Sequence, residues 1–469
     1  MSSFLFLFLI IFSSVLLIVI NQRFKFEKEL YKKFGIDRDW WVPIIALFLS
    51  ILVSIVDLTI IKNVIIEKID IIILIFSFGI LSEGLGSSGF FTYISYKIVR
   101  YGNNNTKKLI IYIFVMTSIA TYFTSNDIVI LVLTPIIIEI CFHAKIRNMK
   151  LILLTQFVAA NTISMGMILG SPTNIIIAET LNIDFFTYLA LMIVPSIIAF
   201  SASLIVVFYI ASKYDKLPGK FFSSLSYDSE YEIPDKNPQP NFTKHMRNWV
   251  IIMIMFLSLV AIVTYLQISL LYCAIPSIII SITYWIFSDN HQERVSGPVK
   301  RLPYGILFFG MTFFILASSF VQTGFVGESI IPLIQSSIDN FSPLVNSVWI
   351  IGTGIIVNVF NDLPSSAIIA EIITQLEFPT LERKIIFTQS ILIGLNIGAY
   401  ITQVGALAGL IWFNQIRVHR KKHNYNNPDK IVFPKRLDMI KYGFLHFIIV
   451  SIICSLYLVL EWFILVSLI

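Results

Sequence analysis

Charged residues are scarce in this sequence, and their scarcity excludes a soluble protein. Only 13% of the 469 residues are Asp, Glu, Lys or Arg, whereas 57% are hydrophobic. A soluble domain has about 25% charged residues, so a chain of this composition would precipitate from water. The mean hydropathy of +0.83 and uncharged runs such as residues 2–20 indicate helices that cross a membrane.

Signatures of catalysis and of metal binding are also missing. Cys141, Cys273 and Cys454 lie far apart in the sequence, so they predict neither a disulfide framework nor a zinc site. The chain has no HExxH motif and no Walker-type phosphate loop. We therefore expect no enzyme, no metal and no resident cofactor. The basic residues cluster in short loops, which is typical of membrane orientation and not of nucleic-acid binding.

Apolar segments long enough to cross a membrane occur along the whole chain. We predict crossing helices at about residues 3–20, 41–61, 70–88, 151–180, 186–210, 248–267, 271–288, 302–322, 385–416 and 438–469. The first lacks a basic n-region and a cleavage site, so it is interpreted as a retained helix. Two further segments, 109–141 and 345–374, are apolar but carry an Asn-Asp pair near their middle. These two are predicted to be re-entrant hairpins.

Polar and glycine residues at these interruptions recur at a single spacing, which predicts an internal duplication. Five pairs lie 235 residues apart: Asn126 and Asn361, Asp127 and Asp362, Gly89 and Gly324, Asn161 and Asn396, Gly170 and Gly405. The predicted organisation is an N-terminal repeat at 1–211, a polar cytoplasmic linker at 212–247 and a C-terminal repeat at 248–469.

Loop charges predict that the second repeat is inverted relative to the first. Basic loops at 97–108 and 143–150 flank the first hairpin, so both of its ends are expected at the cytoplasmic face. The stretch 323–344, before the second hairpin, has no Lys or Arg and is expected to be external. Each half then has five crossings and one hairpin, the plan of many secondary transporters. We expect an all-α, polytopic protein of the plasma (inner) membrane, with about ten crossing helices and two re-entrant hairpins.

Breaks in membrane helices survive only where protein or a water-filled cavity satisfies the backbone. Besides the two hairpin tips, "GSPTN" (170–174) and "TQVGALAG" (402–409) are predicted breaks, so we expect one shared internal cavity. The candidate substrate- and ion-binding residues are Ser125, Asn126, Asp127, Asn161, Gly170, Ser171, Thr173, Asn174, Asn361, Asp362, Ser365, Asn396, Thr402 and Gly405.

Two of these candidates are acids, and buried acids in membranes usually carry or bind an ion. We predict that Asp127 and Asp362 couple transport to H⁺ or Na⁺. The alternative, that each acid only caps a half-helix, stays open. Asn161 and Asn396 could either join helices by hydrogen bonds or line the cavity.

The motifs at these breaks resemble the ion transporter superfamily, and most of all its arsenite efflux permeases and citrate-transporter-like members. "NDIVILVLTPIIIE" (126–139) and "FNDLPS" (360–365) are similar to the family's two hairpin tips. "NIGAYITQVGALAGLIW" (396–412) resembles its Gly-x-x-Ile-Thr-Pro-Ile-Gly-Ser-Leu-Ala segment. The resemblance covers roughly 40–440. It implies that two tips and two breaks form one substrate site, with alternating access driven by a proton or sodium gradient.

The chain departs from that pattern at several cavity positions. The family often has Asp where this chain has Asn161 and Asn396, Lys where it has Tyr400, and Pro where it has Gln403. Asp362 stands where Asn is usual. The departures rearrange the charges of the cavity, so alternative substrates stay open.

We expect a secondary transporter of a small inorganic ion or oxyanion, with arsenite-like efflux as the leading function. A sodium–proton antiporter and a di- or tricarboxylate symporter are the alternatives. A membrane scaffold is disfavoured, because it gains nothing from unwound helices at membrane depth. The expected partners are the ion and membrane lipid, while a homodimer and a separate ATPase subunit stay open.

Overall fold

The computed structural model describes residues 41–52, 56–213, 241–287, 304–322, 326–424 and 431–467, together with single residues between 216 and 231. The predicted crossing at 3–20 and much of the predicted linker at 212–247 lie outside the described residues.

Seventeen α-helices, and no β-strand, make up the described part of the chain. The first eight are α1 (Trp41–Leu52), α2 (Leu58–Ser87), α3 (Phe90–Tyr101), α4 (Thr106–Phe123), α5 (Asn126–His143), α6 (Lys150–Ile163), α7 (Pro172–Thr180) and α8 (Phe185–Lys213). The others are α9 (Lys244–Tyr265), α10 (Leu271–Phe287), α11 (Tyr304–Val321), α12 (Ile331–Asp339), α13 (Val345–Phe360), α14 (Asp362–Ile373), α15 (Leu381–Gly398), α16 (Leu407–Asn424) and α17 (Arg436–Ser467). The predicted all-α class is confirmed.

Five described helices, α4, α5, α8, α9 and α17, are long and apolar enough to cross a membrane. A sixth span is formed if the bent pair Phe314–Val321 and Val326–Asp339, which meet at 63°, is one crossing. Both arms of the first predicted hairpin are among the five, each 18 residues long. The number of about ten crossings and the re-entrant path of 109–141 stay predictions.

The predicted boundary between the crossings at 41–61 and 70–88 is wrong. Helix α1 ends at Leu52, and α2 runs without a break from Leu58 to Ser87. Asp57 is the N-cap of α2, and its side chain accepts a hydrogen bond from the Thr59 N–H at 3.5 Å. The charged residues at 62–70 continue the helix because charge alone does not interrupt helical hydrogen bonding.

Elements at matched positions of the two predicted repeats make matched contacts. Helix α4 packs against α6 in the first half, and α13 packs against α15 in the second. Contacts also cross between the halves: α5 lies against α16, α7 against α14, and α8 against α17. The helix that leaves each hairpin tip thus packs on the helix that follows the break in the other half. This is the packing that a duplication predicts, although the division at 1–211, 212–247 and 248–469 stays a prediction.

Helices α13 and α15 meet at glycines that allow their backbones to touch. A Cβ on Gly398 would lie 2.4 Å from the Cα of Gly354 and 2.8 Å from its carbonyl oxygen. Contact through small residues is a usual way for membrane helices to gain dispersion energy without a hydrophobic driving force. The second hairpin is thereby fixed to the helix that leads into the 399–406 break.

We expect Gly398→Ala to destabilise the protein by about 1–3 kcal/mol, since the added methyl group would overpack a backbone contact. Gly352→Ala is the matched control, because a Cβ at this position of α13 meets open space among the described residues. Thermal unfolding in detergent should show a lower melting temperature for Gly398→Ala alone. Equal melting temperatures for the two variants would contradict the close packing.

Candidate substrate site

Each hairpin tip is a short break between two helices. Thr124 and Ser125 separate α4 from α5, and Ser125 is extended, with φ −117° and ψ 148°. A single residue, Asn361, separates α13 from α14. Its φ of 76° and ψ of 160° are unusual for a residue with a Cβ and cost about 1–3 kcal/mol. Such strain persists only where the surroundings hold the residue, and here the Asn361 amide donates to the Val404 carbonyl at 2.7 Å.

The two predicted breaks outside the hairpins are also present. After α6 the chain forms two 3₁₀ turns, Ser164–Gly166 and Ile168–Gly170, before Pro172 begins α7. Between α15 and α16, residues 399–406 are non-helical. Gly170 and Gly405 are required here for space and not for an unusual φ. A Cβ added to Gly170 would lie 2.2 Å from the Ser164 carbonyl oxygen, and a Cβ added to Gly405 would lie 2.8 Å from the Ala399 carbonyl oxygen.

The first tip is tied to α6 by a pair of amides. The Asn126 Nδ2 donates to Asn161 Oδ1 at 3.1 Å, and Asn161 Nδ2 donates to the Phe157 carbonyl at 2.9 Å. Asn126 Oδ1 accepts from the Asp127 backbone N–H at 2.8 Å. Asn126 therefore caps the start of α5 and holds the tip against the following helix.

Asn396 does not mirror Asn161, although the two are matched in the repeat. Its Nδ2 donates to Asn174 Oδ1 at 2.8 Å, and its Oδ1 accepts from Ser164 Oγ at 2.8 Å. Asn174 in turn donates to the Ser164 carbonyl at 2.7 Å and the Met167 carbonyl at 3.0 Å. Asn396 thus joins the second half of the chain to the break of the first half.

Asp127 is buried at the centre of this arrangement. It is 3% exposed, and its Oδ1 has no hydrogen-bond partner among the described residues. The backbone N–H of Ala408, in the first turn of α16, interacts with it, and the charge of Asp362 acts on it. Asp127 and Ser125 also line a cavity of about 20 Å³ between α2, the first tip and the start of α7. Such a cavity has room for about one water molecule.

Four helix N-termini approach this point. Helices α5 and α14 begin at the tips, and α7 and α16 begin after the other two breaks. Each brings the partial positive charge of a helix N-terminus. The four break segments, 124–130, 161–175, 358–366 and 396–408, contain no Lys, Arg or His. The formal charge of the site is therefore carried by Asp127 and Asp362, with helix ends and amides as donors.

The remaining predicted residues occupy less central positions. Ser171 Oγ and Thr173 Oγ1 bond each other at 2.9 Å. Ser365 is fully buried with no bonding partner for its Oγ in the described chain. Thr402 is half-buried, and its Oγ1 accepts from the Gly405 N–H at 3.2 Å, which closes a local turn. Asp362 is buried, and its Oδ1 accepts from the Leu363 N–H at 2.9 Å.

Three residues at or near the site were not predicted. Asn358 donates to the Gly354 and Gly398 carbonyls at 2.7 and 2.8 Å, and accepts from the Thr402 N–H. Ser164 is described above. His446 of α17 is fully buried, with its ring 4.6 Å from that of Tyr442, and neither ring nitrogen has a partner among the described residues. The sequence "NVFND" contained a signal for Asn358, because this polar residue lies three positions before the predicted tip residue Asn361. The sequence contained no signal for His446, which is an isolated His on a long apolar helix.

Comparisons with known proteins point to one class. The family model described as citrate transporter, CitMHS, matches residues 15–382. A Bacillus subtilis protein described provisionally as an arsenical pump membrane protein is 24% identical over 72% of this chain and 78% of its own length. The arsenical pump membrane protein of Escherichia coli K12 is 21% identical over 71% of this chain and 76% of its own. The Alcanivorax borkumensis YdaH transporter structure aligns at a TM-score of 0.46 and 11% identity, over 97% of this chain and 98% of that one.

Asn174→Ala should lower transport in proteoliposomes, because it leaves the Ser164 and Met167 carbonyls unpaired at about 1–3 kcal/mol each. Asn346→Ala is the control: Asn346 is equally buried and donates to the Ser455 carbonyl at 3.1 Å, away from the four breaks. We expect both changes to lower the melting temperature and only the first to reduce transport in the protein that remains folded. An equal loss of transport would remove Asn174 from the site.

Proposed function

We propose, from the premise that this chain belongs to the citrate transporter family, that it is a secondary transporter exporting a small inorganic oxyacid of the arsenite type. Family membership makes it a multi-pass membrane transporter and not an enzyme. The names of its relatives support the choice of substrate class. We expect it in the plasma (inner) membrane, and both a homodimer and an ATPase subunit are compatible with the proposal.

The observation that carries the proposal is that the four polar break segments contain no basic side chain. At neutral pH arsenous acid is an uncharged molecule with three hydroxyl groups, each a donor and an acceptor. The amides of Asn126 and Asn161, each of which uses one Nδ2 hydrogen within the protein and keeps a second, can match it. A citrate trianion would instead need positive side chains to offset its desolvation. The four break segments offer none.

Coupling is assigned to Asp127. An ionised carboxylate at membrane depth costs free energy, and the negative charge of Asp362 adds repulsion. A proton or a sodium ion on the unpartnered Oδ1 relieves both costs. Exchange of that ion for substrate at one site is the simplest way to couple the two fluxes, because the site then reorients only when one of the two is bound.

A sodium–proton antiporter is the second candidate, and one observation favours it. Two carboxylates and several amide oxygens without a basic neighbour are ligands that hard cations prefer. In this case Asp127 and Asp362 would bind Na⁺ directly and release protons in exchange. The two candidates share the coupling residues and differ in whether a second solute moves.

Asp127→Asn should abolish the coupled flux, because an amide takes up no proton at neutral pH and lacks the negative charge that would attract a sodium ion. Glu328→Gln is the control, since Glu328 is an exposed acid in the Val326–Ile330 segment. Transport should fall to the level of protein-free liposomes in the first variant and stay at wild-type level in the second. Unchanged flux in a folded Asp127→Asn protein would rule out the coupling role.

The substrate is tested with purified protein in liposomes that hold a pH-sensitive dye. We expect a proton flux on addition of arsenite under an imposed pH gradient, and none on addition of citrate. Antimonite, which has the same neutral trihydroxy form, should compete with arsenite. A dye response to NaCl alone would replace the oxyacid proposal with the antiporter, and a response to citrate alone would replace it with the carboxylate carrier.

A further inference from the structure

A second and much larger cavity lies on the other side of the first hairpin. Its volume is about 700 Å³, and its lining is almost entirely apolar. Helices α3, α4 and α9 form its walls, and Leu85 of α2 closes one end. It shares no lining residue with the Asp127 cavity, so it needs an occupant of its own.

The walls are apolar stripes at helical spacing. Helix α3 contributes Phe90, Phe91, Ile94, Ile98 and Tyr101, and α4 contributes residues from Tyr112 to Phe123. Helix α9 contributes Val250, Met253, Ile254 and Leu257 from the facing side. Several of these side chains are more than half exposed, including Ile119 at 57% and Ile254 at 56%. The cavity therefore opens toward the surrounding bilayer.

A basic residue lies within or just before each stripe. Lys97 lies four residues before Tyr101, Lys108 four before Tyr112, and Arg247 three before Val250, so each shares a helix face with its stripe. The start of α9 lies beside Lys97: the Phe242 ring is 5.6 Å from the Tyr93 ring, and the Lys97 Nζ is 4.6 Å from the same Tyr93 ring.

All three basic residues are exposed, and Arg100 adds a fourth positive charge at the same loop. Asn105 of the same loop pairs through its backbone with Glu230, so one acid also lies near this loop. The four basic residues outnumber it.

An apolar cavity with a positive rim fits an anionic phospholipid. Basic pockets between membrane helices at the cytoplasmic side bind anionic headgroups, and the loop at 97–108 is expected at that side. The lining of α4 from Tyr112 to Thr124 extends about 18 Å at 1.5 Å per residue, which is enough to accompany most of an acyl chain. We propose that this cavity binds the acyl chains of an anionic phospholipid whose phosphate is held by Lys97, Lys108 and Arg247.

The bound chain would end beside the first tip. Phe123 and Thr124 line the cavity, and the next residue along the chain, Ser125, lines the Asp127 cavity. The lipid thus fills the space between α4, the first arm of the predicted hairpin, and α9.

Native mass spectrometry of the purified protein tests this without any transported substrate. Detergent-solubilised protein is incubated with phosphatidylglycerol or phosphatidylcholine of equal chain length. We expect retained phosphatidylglycerol and little phosphatidylcholine. The triple change Lys97→Gln, Lys108→Gln and Arg247→Gln should weaken phosphatidylglycerol binding about fivefold per cation and about a hundredfold in total. The control triple Lys62→Gln, Lys435→Gln and Arg436→Gln removes equal charge elsewhere and should leave binding unchanged.

The apolar part is tested by filling the cavity. Ile119→Trp should prevent retention of either lipid, and Ile254→Trp, on the facing wall, repeats the test if the first variant does not fold. Equal retention of the two lipids by the wild type would overturn the headgroup assignment. Full retention by the rim variant or by a folded Trp variant would overturn the location. None of these measurements involves arsenite transport, so the lipid proposal can fail while the proposed transport function stands.

Discussion

Every backbone N–H and C=O that leaves a helix inside a membrane needs another partner, and this constraint governs the four breaks. Asparagine side chains supply several of these hydrogen-bond partners. Asn174 bonds two carbonyls of the first break, Asn358 bonds one carbonyl each from α13 and α15, and Asn361 bonds one carbonyl of the second break. An amide suits this task because it offers donors and an acceptor on a short, uncharged side chain. These bonds occupy both Nδ2 hydrogens of Asn174 and of Asn358, so the two residues stabilise the breaks.

Because the partners come from different helices, no break is independent of the others. Asn396 of the second half bonds Asn174 and Ser164 of the first, and α5 packs on α16 as α7 packs on α14. Moving the first break alone would leave the buried amide of Asn396 in the other half without these partners, at about 1–3 kcal/mol for each group left unpaired. The hydrogen bonds therefore favour a movement in which tips and breaks shift together, which is the behaviour that alternating access requires.

The positions of the breaks could be predicted from the sequence, because Asn-Asp, Ser-Pro and glycine at depth are costly and recur at one offset. The hydrogen-bond partners at each break could not be predicted. The repeat suggests that Asn396 should bond its own tip as Asn161 does, yet Asn174 and Ser164 have Gly409 and Ala399 at the matched positions. The predicted symmetry of the two halves does not hold for these bonds, and an offset cannot reveal which half supplies the partner. The start of α2 was missed for a related reason, since a hydropathy reading treats a charged helical turn as a loop.

The charges of the site also depend on these helix starts. Asp127 and Asp362 each stand in the first turn of a helix, where the partial positive charge of the N-terminus stabilises a carboxylate. The two acids repel each other, so stabilisation by the helix ends and mutual repulsion act in opposite directions. A single bound cation or proton removes the repulsion. The balance is sensitive to one unit of charge, and in the proposed exchange the release of that ion from Asp127 is what allows a neutral oxyacid to bind.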